Sequence, residues 1–505
     1  MTAVPRGPSP VVRRPLRLGQ RLAVQGLPLV PCGFRPSLSS VFSAFCHIAR
    51  VSKAYAQGCC FGSLRRATCF RPETATLQVA KGRAGLKERF RKLIWGDVHT
   101  GHRGGLDIIK AIGPGLLVMV GFIDPGNWAS NLAAGSTYGY SLLWVVTLAT
   151  VLLIVLQHNV AHLGIVSGKC LAEAATDTLP RPVSVIVLST AMLACVATVM
   201  AEVLGGAIAL QMLFGLPIRI GAVIVAVAAV ALLLTNSYKR IERWIIAFVS
   251  VIGLSFLIEI FIVNVDWPQA AVSWVRPSFP DGSAVVVMAV IGAVIMPHNL
   301  FLHSEVVQSH RYDEQGEDVI ERRLSDEFVD TLFSMAMGWA INSAIVIVAA
   351  STFFQAGVQV DDLAQAAEML KPLAGETSSL LFAGALLLAG VSSSVTAGMA
   401  SGTVSAGIMA EPFDLRDRHS SFGVISTFVL AVAVIFFVQD PFQGLVLSQA
   451  ALAVQLPITI FLQIYLTSSK RVMGKYANGR ALKVLLICIG VLVVALNLYT
   501  LVSGS

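Results

Sequence analysis

The sequence predicts an all-α polytopic membrane protein. Eleven transmembrane helices are expected, the first ten as two inverted repeats of five, with helices 1 and 6 discontinuous. Three observations lead there. Of 505 residues, 55% are hydrophobic and 13% charged, where a soluble domain carries about 25% charge; the mean hydropathy is +0.74. The apolar residues fall in repeated runs of about 20, enough to cross a bilayer at about 1.5 Å per residue. Two runs, five apart in order, are broken at their middles by a proline beside polar residues. This composition argues against a soluble enzyme, a nucleic-acid-binding module and a disulfide-stapled secreted domain.

The formal net charge of +8 is unevenly distributed. Residues 1–100 hold 17 Lys and Arg against Glu73, Glu88 and Asp97, a net of +14, whereas residues 101–505 hold 20 against 26, a net of −6. Residues 1–94 are rich in Arg, Pro, Ser and Gly and show no sustained helical or strand period. They read as a basic, disordered N-terminal leader, either a cytoplasmic tail or upstream read-through from a wrong start site. A sharper reading is an Arg-rich, acid-poor targeting peptide. Five of the eight cysteines lie there (Cys32, Cys46, Cys59, Cys60 and Cys69), without CxxC or zinc spacing. The transporter body is expected over 95–505.

Segment 1 (109–137) carries Asp124-Pro125-Gly126-Asn127 at its middle. Segments 2 (141–165), 3 (183–213), 4 (218–236) and 5 (243–264) are continuous apolar runs that complete a first repeat, 109–264. Segment 6 (284–307) carries Met296-Pro297-His298-Asn299 at its middle. Segments 7 (328–355), 8 (378–409), 9 (420–438) and 10 (443–467) complete a second repeat, 284–467, and segment 11 (481–502) is an addition. The connectors fix orientation. With the leader inside, one face collects 17 of the body's 20 basic residues, and the other holds only Arg219, Arg276 and Lys371 together with the acidic loop of Asp361, Asp362, Glu368 and Glu376. That asymmetry is the positive-inside pattern. It supports an odd number of spans across a plasma membrane, with a cytoplasmic N-terminus and an extracytoplasmic C-terminus.

Proline removes a backbone donor and disfavours helix at the residue before it, and glycine adds freedom. Segments 1 and 6 are therefore expected as half-helices around unwound joints, which at membrane depth are tolerated where they line a cavity or meet other protein. An offset of five reverses orientation, so 1–5 and 6–10 are inverted repeats, and transporters built so place substrate at the midplane between the broken helices. At the joints Asp124 offers a carboxylate, Asn127 an amide oxygen, Met296 a thioether, and the backbone at Gly121 and Ala293 free carbonyls. Oxygen alone suits Mg²⁺ or Ca²⁺, while a soft thioether favours later or softer transition metals. The set points to Mn²⁺ or Fe²⁺ as transported substrate, with Cd²⁺ as an adventitious one, and to no resident cofactor.

The paired strings DPGN and MPHN resemble the Nramp family of proton-coupled divalent metal transporters, closest to its bacterial manganese transport proteins. Ala201-Glu202-Val203, His303-Ser304, Leu447-Ser448-Gln449 and Gln455-Leu456-Pro457 match as well. The resemblance covers about 95–505. It implies a LeuT-type fold, metal ligation by Asp124, Asn127 and Met296 with the Ala293 carbonyl, a state-dependent Gly121 carbonyl, and a segment 10 amide, Gln449, that closes on the ion. Magnesium-transporting relatives lack the methionine. It further implies a proton pathway through Asp124, His298 and Glu202, since buried ionisable groups in membranes are functional candidates and histidine titrates in the physiological range.

Three positions depart from the family pattern: Val199 replaces the usual Asp, segment 8 reads Gly390-Val391-Ser392-Ser393, and Ser420-Ser421-Phe422-Gly423 opens a segment 9 lacking the family's basic residues. All three fall on or near the proton exit, so an alternative is a related divalent cation transporter with weak or no proton coupling. Other intramembrane polar groups read more plainly: Glu259 as a helix-packing partner, His158 and His162 as a polar helix face, His303 and His310 near the inner mouth. A sodium-coupled organic-solute carrier would want small uncharged residues at Asp124 or Met296. An intramembrane metalloenzyme would want a motif such as HExxH, which the chain lacks. A metal-sensing receptor would want a large soluble domain. The partners expected are divalent metal ions, protons and the lipid bilayer, with no nucleic acid and no obligate protein partner.

Overall fold

The computed structural model describes residues 124–235, 253–358, 360–371, 375 and 378–503. The leader, the first half of segment 1 with Gly121, and most of segment 5 lie outside the described residues. What is described is helical. In chain order the main elements are α1 (Pro125–Tyr138), α2 (Leu143–Ser167), α3 (Leu171–Thr178), α4 (Arg181–Phe214) and α5 (Ile218–Leu234). After a helical stretch at 253–259 and the short helix Trp267–Ser273 come α6 (Ala284–Val294), α7 (Pro297–Gln308), α8 (Glu317–Ala349), α9 (Ser378–Met409), α10 (Arg418–Ile435), α11 (Pro441–Thr467) and α12 (Arg480–Ser503).

Among the described residues eight helical stretches are long and apolar enough to cross a membrane, Pro125–Ser167 counting as one, and Ile218–Leu234 is a shorter apolar helix. The expected boundaries move at segment 7, whose helix starts eleven residues early, at Glu317. Polar residues there, among them Glu317, Asp318, Arg322 and Arg323, extend the helix beyond its apolar run. At its other end the helix runs on through a π-helical turn, Ala350–Phe354.

The helix ends follow ordinary capping chemistry. Asp124, Asp417 and Asp440 each accept a backbone N–H from the first turn of α1, α10 and α11. The N–H of His419 donates to Asp417 and holds its carboxyl below the usual value. Left-handed glycines Gly168 and Gly215 end α2 and α4.

Burial sorts the helices. In Ala284–Gln315, 89% of the most apolar window is enclosed by other helices, against 28% in α12. The broken segment 6 is thus central, and α12 is peripheral. α6 packs along α11, α4 along α9, and α8 against α1 and α2. Large apolar side chains such as Val227, Val429 and Val491 stay exposed on the outer helices. An apolar exterior of this kind suits lipid rather than water.

Candidate metal centre

Segment 6 is broken as its proline dictates: α6 stops at Val294, α7 starts at Pro297, and Met296 between them has extended backbone with φ −70° and ψ 115°. A continuous helix would require the nitrogen at 297 to donate to the Ala293 carbonyl, and proline has no hydrogen there. In segment 1, Pro125 opens α1 behind Asp124, whose backbone is likewise extended (φ −92°, ψ 160°). Gly121 precedes Pro125 by the same four positions but lies outside the described residues.

Every described site residue is buried: Asp124, Asn127, Ala293, Met296 and Gln449 are all at or below 2% exposure. Asp124 Oδ1 accepts the Asn127 N–H at 2.5 Å, while Oδ2 has no hydrogen-bond partner among the described residues. Asn127 Oδ1 accepts from Asn131 Nδ2 at 3.1 Å, and the same amide nitrogen donates to Asn342 Oδ1 on α8 at 3.0 Å. Met296 Sδ accepts from Asn299 Nδ2 at 3.3 Å and packs with Ala194 and Leu452.

Gln449 ties the two breaks together. A Cβ on Gly126, just after the first break, would collide with the Gln449 side-chain amide. A Cβ on Gly292, just before the second, would collide with the Gln449 carbonyl oxygen and lie 3.0 Å from Ala453 N. These two glycines bring both joints against the same turn of α11. Gln449 Oε1 is itself buried and without a partner among the described residues. A buried carboxylate oxygen and a buried amide oxygen left unsatisfied are costly and uncommon. A cation held between them would satisfy both.

Glu202 and His298 sit beside this centre on α4 and α7. Glu202 is 1% exposed and within electrostatic reach of Asp124, and its Oε2 has no hydrogen-bond partner among the described residues. Gly390 allows this approach, because a Cβ there would meet the Glu202 carbonyl at 2.8 Å. His298 Nδ1 is 3.0 Å from Thr198 Oγ1, which also donates to the Ala194 carbonyl at 3.1 Å. The hydroxyl proton being so committed, the network assigns Nδ1 as the donor and leaves Nε2 as the basic nitrogen.

Two of the three departures, Val199 and the Gly390-Val391-Ser392-Ser393 stretch, fall beside these groups. Val199 is fully buried next to Thr198, and Gly423 brings α10 against Ser405. Asn131, Asn342, Thr198 and Gly292 were not singled out from sequence, and Gly126 only as a source of backbone freedom at the break. For Asn131 the signal was present, as an intramembrane amide one turn after Asn127. His158 and His162 lie together on one face of α2, with the imidazoles edge to face at 4.1 Å, and that face is turned inward, where buried His158 pairs with Glu327 of α8. His303 is also interior, 2.6 Å from Gln157 Oε1, while His310 is exposed. Glu259 is buried with neither carboxylate oxygen partnered among the described residues.

The family described as "Natural resistance-associated macrophage protein-like" matches residues 115–503. Curated relatives include the divalent metal cation transporter MntH of Deinococcus radiodurans, 36% identical over 408 residues and covering 80% of this chain and 92% of its own. The MntH of Caldanaerobacter subterraneus subsp. tengcongensis is 33% identical over 403 residues, covering 79% and 94%. Among solved structures, the manganese transporter of Eremococcus coleocola superposes with a TM-score of 0.65 at 27% identity, over 81% of this chain and 90% of that one. The nucleobase-cation-symport-1 family transporter Mhp1 shares the fold, with a TM-score of 0.52 at 16% identity over 78% and 92%.

Proposed function

Since this chain belongs to the Nramp family of divalent metal cation transporters, multi-pass membrane proteins and not enzymes, we propose that it imports Mn²⁺ or Fe²⁺, with Cd²⁺ as a further substrate, by proton-coupled alternating access. The observation that carries the reading is the convergence of both helix breaks on Gln449, with Asp124 Oδ2 and Gln449 Oε1 unsatisfied among the described residues and the Met296 thioether at the second break. Asp124, Asn127 and Met296 hold the ion with the Ala293 carbonyl, Gly121 adds a carbonyl in some states, and Gln449 closes on it. Eleven spans in a 5+5 inverted arrangement, N-terminus inside and C-terminus outside, complete the architecture. The protein needs no resident cofactor, and its partners are the metal ion, protons and lipid.

Uptake into liposomes of Mn²⁺, Fe²⁺, Mg²⁺ and Ca²⁺ tests this directly. Wild type is expected to pass Mn²⁺ and Fe²⁺ and to reject Mg²⁺ and Ca²⁺. Met296→Ala is expected to lower Mn²⁺ uptake about tenfold, a loss of about 1.4 kcal/mol of ion binding, and to narrow the gap to Ca²⁺. Wild-type uptake of Ca²⁺ and Mg²⁺ at the Mn²⁺ rate would remove the thioether argument.

Import of a cation into a negative interior is already favoured by about 2.3 kcal/mol per charge per 100 mV, so a proton adds drive without being required. With Val199 in place of the usual acid, coupling runs through Glu202 and His298 and is weak. Internal pH followed during Mn²⁺ uptake is expected to show slight acidification, lost in Glu202→Gln with His298→Ala. Strong acidification that persists in that double variant and disappears only on changing another residue contradicts the assignment.

A further inference from the structure

Nine residues beyond Met296, about 13 Å along the same half-helix at 1.5 Å per residue, α7 meets α3 in a second cluster that the central site does not use. We propose that Cys170, Glu173 and Glu305 form a separate binding site for a divalent transition-metal ion, with Gln308 as a supporting oxygen donor. One ligand atom from each of the three lies within 4.8 Å of the others, the spacing of donors around one ion.

Local structure accounts for only part of this cluster. Cys170 and Glu173 make a reciprocal capping box at the start of α3: the Glu173 N–H reaches Cys170 Sγ at 3.5 Å, and Glu173 Oε2 accepts the Cys170 N–H at 3.3 Å. That box requires neither Glu305 nor Gln308. Yet Glu305 brings a second carboxylate from α7 to the same thiol, with which it hydrogen-bonds, and its Oε2 is buried without a partner among the described residues. Gln308, only 8% exposed, donates from Nε2 to Glu173 Oε2 at 2.6 Å, which places its amide on the cluster, and its Oε1 is buried without a partner among the described residues. Two buried oxygens left unsatisfied among the described residues, within a cluster that holds a thiol and two carboxylates, suit a cation.

The frame is rigid. The Leu171 N–H donates to Ser304 Oγ at 2.9 Å, Thr176 Oγ1 donates to the Gly407 carbonyl at 2.7 Å, and a Cβ on Gly407 would reach Ala172 Cβ at 2.6 Å. Arg311, the cation within electrostatic reach of Glu305, also pairs with Glu314 at 3.8 Å. A thiolate with two carboxylates suits Zn²⁺, Cd²⁺, Co²⁺ or Fe²⁺, and its sulfur disfavours Mg²⁺ and Ca²⁺. The proposal concerns binding alone and stands or falls apart from transport at the central site.

Co²⁺ serves as the probe, because a thiolate ligand gives it a near-ultraviolet charge-transfer band that a thioether and carboxylates do not. The full chain in detergent, with Cys32, Cys46, Cys59, Cys60, Cys69 and Cys488 changed to serine, is titrated with Co²⁺. A saturable band is expected, lost in Cys170→Ser and weakened at least tenfold in apparent affinity in Glu305→Gln. It is expected unchanged in Met296→Ala, which alters only the central site. Glu305→Gln leaves the capping box whole and so decides the matter should Cys170→Ser fail to fold. Absence of the band, its survival in Cys170→Ser, indifference to Glu305→Gln, or loss in Met296→Ala each overturns the proposal.

Discussion

Asp124→Asn is expected to reduce Mn²⁺ uptake at least a hundredfold while leaving the metal-free protein as stable as wild type or more so. The two effects separate because Asp124 does two jobs with two oxygens. Oδ1 caps α1 through the Asn127 N–H, and asparagine caps about as well as aspartate. Oδ2 is buried and unpartnered, so its charge has no compensation within the described protein. An uncompensated buried charge is destabilising, and the amide relieves that cost. The ion sees the reverse. The carboxylate is the one full negative charge in the proposed ligand set, and a unit charge pair at 4 Å is worth about 4 kcal/mol at an effective dielectric of 20. Losing half of that against a divalent ion already exceeds the 2.7 kcal/mol, about, that a hundredfold requires. Thermal unfolding in detergent with and without Mn²⁺, alongside uptake, reads both effects. The metal-induced rise in melting temperature is expected to vanish with uptake. Uptake within threefold of wild type would show that the carboxylate is not a ligand.

The same division between local and long-range information explains what was legible before any coordinates. The break in segment 6 was readable because it is a local covalent fact: Pro297 cannot donate to Ala293, whatever surrounds it. The identity of the donors, with a soft sulfur among oxygens, was readable for the same reason. What Gly126 and Gly292 do was not. A glycine one residue after or four residues before a joint looks like helix dilution until α11 is seen occupying the space of each missing Cβ. The pairing of His158 with Glu327 was hidden likewise, because it joins residues 169 positions apart across α2 and α8. Nothing in the i, i+4 spacing of His158 and His162 signals a carboxylate on another helix. Thr198 escaped notice because a threonine in an apolar helix is unremarkable until His298 is found against it. Hydrophobic periodicity locates helices, but only the packed structure says which polar atoms face one another.

Gly292→Ala should damage the protein more than Gly126→Ala, although both add the same methyl group against the same residue. At Gly292 the added Cβ meets the Gln449 carbonyl oxygen and lies 3.0 Å from Ala453 N. Both belong to the backbone of α11, which cannot rotate away, so α6 and α11 must separate along their whole contact. Small residues at helix crossings in membranes permit that closeness, and overpacking a tight core costs about 1–3 kcal/mol. Separation also withdraws the Gln449 amide from the joints, so Mn²⁺ uptake is expected to fall at least tenfold together with a lowered melting temperature. At Gly126 the obstacle is the end of the Gln449 side chain, which has rotamers to use. There stability is expected to change little, while apparent affinity for Mn²⁺ weakens because the amide oxygen is turned from the site. A second substitution separates the two cases. Gln449→Ala removes the side chain that Gly126→Ala strikes and should cancel the small fall in melting temperature that this variant shows, but it leaves the carbonyl that Gly292→Ala strikes and should restore nothing. Equal rescue of both variants would mean that the backbone of α11 yields, and that the convergence of the two breaks on Gln449 is looser than its packing implies.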